Sequence, residues 1–166
     1  MLNRGCAYYA TESCELKYPP CDNRCGTRQA GATAESKRNE SMTEKIVIML
    51  LNLDLERPST LGAPFFQATV AAVMDLQVEM YFAGDSTRLL IRGVAEAIHP
   101  GTAHAKSVYG FMQDAHDAGC RFFACAGAME EHGLTRDNAI PQLDGVRGGG
   151  AFIGEVIEDH VVTLTY

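Results

Sequence analysis

The stretch Ile46-Val47-Ile48-Met49-Leu50-Leu51 decides the fold, because it is a continuous apolar run of strand length. A strand with one face in water alternates apolar and polar residues, whereas a fully apolar strand is typical of a parallel sheet covered on both faces. The run is also far shorter than the roughly 20 residues that cross a bilayer. We therefore expect a buried parallel strand here, and no membrane span.

Strand and helix patterns alternate after this run, as they do in βα units. Helical patterns are predicted over Pro64–Met74, Ser86–Ile91, Val108–Ala115, Ala128–His132 and Ala151–Ile157. Further strands are predicted at Gln77–Phe82, Arg121–Cys125, Val161–Tyr166, with a short one near Gly145–Gly148. This alternation predicts an α/β fold, with three α/β/α layers around a mostly parallel, doubly wound sheet of about five strands.

Local signals set the expected helix ends. Pro64 suits a first helical position, Asp85 suits the cap of the helix that follows it, and Gly119 and Gly133 suit helix ends. The first helix is largely apolar and is expected to be contacted on two sides, which makes it a candidate subunit interface. One side carries the larger residues Phe66, Val70 and Val73, and the other carries Ala68, Ala71 and Ala72.

Residues 1–42 differ from the rest of the chain, because they show no apolar periodicity and include Pro19-Pro20 and a polar run before Ser41. This composition predicts a flexible tail, followed by one α/β domain over residues 43–166. The tail contains Cys6, Cys14, Cys21 and Cys25, of which only the last two have the close spacing that zinc ligands usually show. A metal role for these cysteines stays open, and so does the hypothesis that Met42 is the physiological start.

Composition excludes several classes of function. The chain has 166 residues, of which 46% are hydrophobic and 21% charged, as in ordinary globular proteins. The formal net charge of −7 opposes binding to nucleic acid, and no basic cluster offsets it. The first residues lack the apolar core of a secretory signal, so we expect a cytoplasmic protein whose six cysteines are reduced.

Cys125 is the main candidate for chemistry, because it ends a predicted parallel strand, where ligands and reactive groups collect in such sheets. The start of the following helix would favour a thiolate there, although a cysteine in a strand is often only a small hydrophobic residue. Cys120 lies five positions earlier, about 16 Å away if the segment is extended. A disulfide spans at most about 7 Å between Cα atoms, so Cys120 is expected to be structural.

Other polar residues also follow predicted strands. Asn52 and Asp54 follow the first strand, while Tyr81 and Asp85 lie at the end of the second. These residues, together with Gly127 after Cys125, are candidates for a substrate pocket, although Asn and Asp in such places are commonly turn formers. His132 is expected to cap its helix.

Two further features of the sequence do not indicate a site. No histidine and carboxylate stand at the spacing of a metal site, and no organic cofactor is implied. Gly148-Gly149-Gly150 lacks the order of a dinucleotide-binding motif, so close packing of the backbone is the expected explanation.

Several segments of the chain together resemble the DsrE/DsrF-like (TusD-related) sulfur-relay family. They cover nearly all of residues 43–166 and are Lys45–Leu50, Ala63–Phe66, Val78–Asp85, Arg121–Cys125, Gly150–Ile153 and Val162–Leu164. Members of the family are three-layer α/β domains that commonly form homotrimers or hexamers, and several carry sulfur as a persulfide on a cysteine. The resemblance implies that Cys125 is that cysteine. Some members have a second cysteine after the strand, where this chain has Ala126, Gly127 and Ala128, which argues against a two-cysteine mechanism.

The resemblance implies a sulfur carrier, similar to a sulfurtransferase, that passes a persulfide on Cys125 from a donor protein to an acceptor protein. Two alternatives stay open. Other family members lack the cysteine, which implies a non-catalytic, oligomeric interaction subunit. The fold class alone also allows a flavodoxin-like module that binds a small ligand.

Overall fold

The computed structural model describes residues 43–51, 53–101 and 105–166, and these contain one sheet. Its strands are β1 (Lys45–Leu50), β2 (Gln77–Phe82), β3 (Arg121–Cys125), β4 (Leu143–Arg147) and β5 (Val161–Thr165). They lie in the order β4-β3-β2-β1-β5, and every neighbouring pair is parallel. The predicted α/β class and the sheet of about five strands, including the short fourth one, are confirmed.

The α-helices of the described residues connect these strands. They are α1 (Ala63–Val73), α2 (Val94–Ala97), α3 (Val108–Asp117), α4 (Ala126–His132) and α5 (Gly149–Val156), with 3-10 helices at Pro58–Thr60 and Gly84–Leu90. As predicted, Pro64 lies in the first turn of α1, and Gly119 and Gly133 follow α3 and α4 with φ of 105° and 65°. Within these residues no helix combines the length and the apolar character that a membrane span requires.

The chain winds across the sheet in two directions. It runs from β1 through β2 and β3 to β4, and then crosses to β5 on the far side of β1. Helices α1 and α3 bury side chains against one face of the sheet, while α5 packs Phe152 against the other. We call these the core face and the α5 face. The predicted doubly wound, three-layer arrangement is therefore confirmed.

The core face holds the large apolar cluster of the domain. Phe65 of α1 lies 6.1 Å from Phe82 and 6.4 Å from Phe122, measured between ring centroids, and all three side chains are fully buried. Burying one such side chain contributes roughly 1.5–3 kcal/mol. Residues Val108, Met112 and Ala115 of α3 join the same cluster. This face therefore supplies most of the apolar burial that stabilises the fold.

The α5 face has a much smaller apolar cluster. Val47, Tyr81 and Phe123 are buried there, with Phe152 of α5 packed against them. Helix α5 itself contains no fully buried residue. One exposed helix therefore covers this face incompletely in the single chain.

Two local expectations were wrong. The segment after β2 forms the 3-10 helix Gly84–Leu90, and its N-cap is Ala83 rather than Asp85. The reason is the Ser86 hydroxyl, which accepts the N–H of Ala83 and donates to the carbonyl of Leu50 at 2.6 Å. Gly148-Gly149-Gly150 is not explained by close packing, because a Cβ added at any of them would meet no described atom within 4 Å.

Helix α1 buries only one of its two predicted sides. Phe65 and the small residues Ala68 and Ala71 face the core, whereas the larger apolar residues of the other side are exposed. Their exposed fractions are 60% for Phe66, 42% for Val70, 73% for Val73 and 67% for Met74. We call these four residues the α1 patch. A single chain leaves this patch without a partner among the described residues.

Candidate functional site

Cys125 lies at the carboxyl end of β3 and is also the N-cap residue of α4. It is partly exposed and is not in a disulfide within the described residues. The next two residues, Ala126 and Gly127, are small and exposed, and a Cβ added at Gly127 would meet nothing within 4 Å. The thiol therefore borders open space at the edge of the sheet where the parallel strands end.

Cys120 has the opposite environment. It is 1% exposed and belongs to the apolar cluster of the core face. Burial raises the pKa of its thiol to about 12, which keeps it protonated and unreactive at neutral pH. This burial agrees with the structural role expected for Cys120.

A cluster of charged and polar side chains lies on the α5 face beside Phe123. Arg147 of β4 donates through Nη1 to Glu79 Oε2 at 2.5 Å and to Tyr81 Oη at 2.6 Å. The same nitrogen is 3.4 Å from Glu155 Oε1, and Lys45 pairs with both Glu79 and Glu155. We call these five residues the Arg147 cluster. It joins β1, β2, β4 and α5 by polar contacts.

The cluster stabilises the charged forms of its two cations and the protonated form of its tyrosine. Burial lowers the pKa of Arg147, but hydrogen bonds to Tyr81 and Glu79 outweigh it, and the net pKa is raised. Lys45 responds in the same way. Burial lowers its pKa, but the contacts with Glu155 and Glu79 raise it by more, so the net pKa is raised. Burial also raises the pKa of Tyr81, against the opposing effect of Arg147. Near neutral pH both cations stay charged and the tyrosine keeps its proton.

The ring of Phe123 packs against the side chains of this cluster. The guanidinium carbon of Arg147 lies 3.7 Å from the ring centroid of Phe123, and that of Arg121 lies 5.0 Å from it. Tyr81 packs against the same ring at 5.6 Å. Cation–π contacts of this kind hold a guanidinium flat against an aromatic face.

Cys125 and Arg147 are neighbours in the sheet. They are paired in the register of β3 and β4, and Cys125 follows Phe123 by two positions, which brings both side chains to the α5 face. Two residues of strand span about 7 Å, so the guanidinium over Phe123 lies within roughly that distance of the Cys125 side chain. Among the predicted site residues, Tyr81 also lies on the α5 face, where it belongs to the Arg147 cluster.

The predicted residues Asp54 and Asp85 lie at a different place. They line a pocket of about 390 Å³ beyond the ends of β1 and β2, and its described lining does not include Cys125. The lining residues are Leu51, Leu53, Asp54, Leu55, Glu56, Asp85 and Arg88. Asp54 accepts the N–H of Glu56 at 3.0 Å, which is the turn-forming role weighed for it.

His132 links α4 to the pocket. Its Nε2 lies 3.8 Å from Asp85 Oδ1, too far for a hydrogen bond, and this buried nitrogen has no hydrogen-bond partner among the described residues. His132 is the last residue of α4 and Gly133 is its C-cap, so the capping role expected for His132 stays a prediction. The imidazole lies between α4 and the 3-10 helix that carries Asp85.

Some predicted residues fall outside the described part of the chain. Asn52 and the tail cysteines Cys6, Cys14, Cys21 and Cys25 belong to this group. Across residues 43–51, 53–101 and 105–166 no group of three or more His, Cys, Asp or Glu is arranged to hold a metal ion.

The Arg147 cluster was missed from the sequence, although one signal for it was present. Glu79 stands between Val78 and Met80 in a central strand, where a carboxylate requires a buried cationic partner. That partner is 68 positions away, so nothing local identifies it.

Comparisons with known proteins agree with this architecture. Several solved structures match it, two of them at 17% and 15% identity, and likeness at such identities shows the fold alone. A protein of unknown function, MTH1491, from Methanobacterium thermoautotrophicum is 17% identical with a TM-score of 0.53, covering 74% of this chain and 98% of that one. The ychN protein from E. coli is 15% identical with a TM-score of 0.53, covering 74% and 99%.

The search of curated proteins found no significant match. The family model described as the DsrE/DsrF-like family matches residues 57–163, which is well over half of the chain and includes both Cys125 and Arg147. The chain therefore belongs to the DsrE/DsrF-like family.

Proposed function

We propose that the protein is a sulfur carrier, in which Cys125 accepts a sulfane sulfur from a donor and passes it to an acceptor protein. The observation that carries this proposal is the contrast between the two described cysteines. Cys125 is partly exposed at the end of a parallel strand, whereas Cys120 is buried in the core. Membership of the DsrE/DsrF-like family supports the same choice of residue.

The proposed step is a nucleophilic substitution at sulfur. The Cys125 thiolate attacks the outer sulfur of a donor persulfide, forming a new S–S bond, and the donor's own S–S bond breaks with its electron pair leaving on the donor thiolate. The transferred sulfur keeps its proton or negative charge, so no oxidant, reductant or organic cofactor is consumed. Transfer to the acceptor repeats the same exchange in the opposite sense.

The surroundings of Cys125 suit this exchange. The small exposed residues Ala126 and Gly127 leave room for a donor or acceptor thiol to approach in line. Arg147 lies next to the thiol in the sheet register and carries a positive charge. A nearby cation favours the thiolate, which is the nucleophile.

We propose that the protein works as a homo-oligomer, a trimer or a hexamer. The α1 patch supports this, because Phe66, Val70, Val73 and Met74 form an apolar surface on one helix. Monomeric proteins rarely leave such contiguous patches uncovered. Packing of α1 against another copy would bury this surface.

The working location is proposed to be the cytoplasm, where thiols are kept reduced. A carrier thiol must return to its free form after each transfer, and a reducing compartment maintains that form. Fractionation of the native source followed by immunodetection tests this, and recovery in an exported fraction would contradict it.

The α1 patch also supports a second candidate, a non-catalytic interaction subunit. In that case the oligomer or partner surface is the functional feature and Cys125 is a bystander. The two candidates differ in one measurable property, since only the carrier must present a reactive thiol after assembly.

The test is intact mass spectrometry after the protein meets polysulfide, or thiosulfate plus a donor protein. A gain of one sulfur is expected on the wild-type chain and on Cys120→Ser, and is expected to be absent from Cys125→Ser. The increment should disappear after treatment with a reductant. An increment that persists in Cys125→Ser and vanishes when another cysteine is changed would refute the assignment.

A further inference from the structure

The Arg147 cluster is not needed to stabilise the sheet in the way the core face is. Glu79 and Tyr81 are 6% and 4% exposed, so charged and polar groups are buried on a face that holds only a small apolar cluster. Replacing a buried ion pair by apolar residues is often neutral or stabilising. A role beyond stability is therefore the better explanation for the cluster.

The members of the cluster are ordered along the strands. Lys45 begins β1, and Glu79 of β2 is paired with Arg121, which lies four positions before Cys125 on β3. Arg147 is the last residue of β4 and is paired with Cys125 in the register. The positive end of the cluster thus lies toward the cysteine, and the buried carboxylate of Glu79 lies behind it.

Glu79 and Glu155 offset this charge in part, because both lie within ion-pair distance of Arg147. Asp85 is 63% exposed on its side chain and is turned toward His132 of α4 at 3.8 Å. Glu155 of α5 is shared between Lys45 and Arg147. The Cα of Arg121 lies at the opposite end of β3, about 13 Å along the strand from that of Cys125, although its guanidinium reaches the Phe123 ring. Arg147 is the cation that is paired with Cys125 in the register of the sheet.

We propose that Arg147 is a positioning residue that stabilises the anion on Cys125, both the thiolate and the persulfide that follows it. The Phe123 ring and the hydrogen bonds to Glu79 and Tyr81 hold the guanidinium in place for this purpose. This inference rests on the proposed function, and it specifies that the site favours anionic sulfur species. Because the guanidinium is fixed in advance, the charge is available without rearrangement when the anion forms.

The first test compares two alkylating reagents of the same size, the anionic iodoacetate and the neutral iodoacetamide. Their rates at Cys125 are measured on the full chain by site-resolved mass spectrometry, and the ratio of the two rates reports the local charge. Arg147→Gln is expected to lower the ratio by about three- to tenfold, because a unit charge near 7 Å is only partly screened. Arg147→Lys keeps the charge and should retain most of the ratio.

Arg121→Gln is the matched control, because Arg121 contacts the same Phe123 ring on the same face. Its removal should change the ratio by less than about twofold, because its guanidinium lies farther from the Phe123 ring, 5.0 Å against 3.7 Å, and it is not paired with Cys125 in the register. An equal fall of the rate ratio in Arg121→Gln and in Arg147→Gln would overturn the inference. So would an unchanged ratio in Arg147→Gln.

Removal of Arg147 leaves the Glu79 carboxylate buried without its nearest cation, so a double variant is included. Glu79→Gln/Arg147→Gln removes both charges and should fold, and its ratio should fall less than that of Arg147→Gln, because no unpaired carboxylate remains. In the wild-type protein, salt near 1 M should also move the ratio toward that of a free thiol in solution. A wild-type ratio that does not change with salt would contradict the inference, and this test needs no variant.

The absolute rate of iodoacetamide alkylation at Cys125, at one fixed pH, gives an independent measure. Arg147→Gln should lower this rate, because the cation that favours the reacting anion is gone. If the wild-type chain gains sulfur on Cys125 but Arg147→Gln changes neither the rate nor the ratio, the carrier function stands and this inference fails. If no sulfur is gained but both measures respond, the anion-stabilising role stands and the carrier function fails.

Discussion

The two faces of the sheet are built from different chemistry. The core face buries a continuous apolar cluster that includes Phe65 and Phe122, and it is covered by α1 and α3. The α5 face combines a small apolar cluster with the ion pairs of Arg147, under a helix that has no fully buried residue. The comparison teaches that one side of a buried parallel sheet can carry the stability while the other side is free to carry polar function.

Strand β3 shows this division within five residues. Cys120 precedes the strand and Cys125 ends it, and the odd number of steps between them turns their side chains to opposite faces. The first thiol joins the core and the second joins the face of Arg147. The same residue type is therefore structural at one position and reactive in the proposal at the other.

The largest loss of stability is expected from a substitution on the core face. Phe65→Ala should lower the free energy of unfolding by about 3–5 kcal/mol, because it opens a cavity among fully buried rings. Phe152→Ala on the α5 face should cost about 1–2 kcal/mol, since that ring is only partly buried. Urea unfolding monitored by circular dichroism measures both. Equal losses would mean that the two faces contribute alike.

A second prediction separates the two thiols. In the native protein at pH 8, iodoacetamide should modify Cys125 at least about 100-fold faster than Cys120, because burial protects Cys120 and raises its thiol pKa to about 12. Peptide mass spectrometry over time measures the two rates in one sample. In urea the two rates should converge, and a difference that survives unfolding would contradict the burial argument.

The sequence predicted the features that depend on local patterns. The run Ile46–Leu51 predicted a buried parallel strand because it is apolar throughout, and Gly119 and Gly133 predicted helix ends because only glycine adopts their positive φ easily. Asp85 failed as a cap because the Ser86 hydroxyl reaches two backbone groups, including one 36 positions away. Helix α2 was missed because four residues show no period.

The sequence predicted only the part of the site that follows from the order and direction of the strands. Cys125 was identified because the carboxyl ends of parallel strands lie along one edge of a sheet. The fold places Cys125 at that edge, as the last residue of β3. Arg147 was missed because its partners Glu79 and Tyr81 come from a strand two places away in the sheet. Side-chain pairs of this kind depend on register, which the sequence does not state.

A third prediction uses the two most exposed apolar positions that lie on opposite sides of the sheet. Val73 of the α1 patch and Ile157 after α5 are both 73% exposed. Val73→Asp should dissociate the proposed oligomer, whereas Ile157→Asp should leave its size unchanged, and each should alter monomer stability by less than about 0.5 kcal/mol. Analytical ultracentrifugation measures the size. Dissociation by Ile157→Asp alone would move the proposed interface to α5.

The smallest expected effect is the alkaline stability that Cys120 confers. Burial raises the pKa of this thiol from 9.0 to about 12, so the folded state holds the proton more tightly than the unfolded chain does. The contribution is fully present below about pH 9 and is lost as the pH rises toward 12, because the unfolded chain gains by ionising first. Between pH 8 and 10.5 the urea midpoint of the wild type should fall more steeply than that of Cys120→Ala. The difference in slope between the wild type and Cys120→Ala isolates the buried thiol from the tyrosines and lysines that titrate in the same range, because both proteins contain them. Parallel slopes for the two proteins would show that the core face does not hold Cys120 away from water, and the contrast between the two faces would then lose its sharpest thermodynamic consequence.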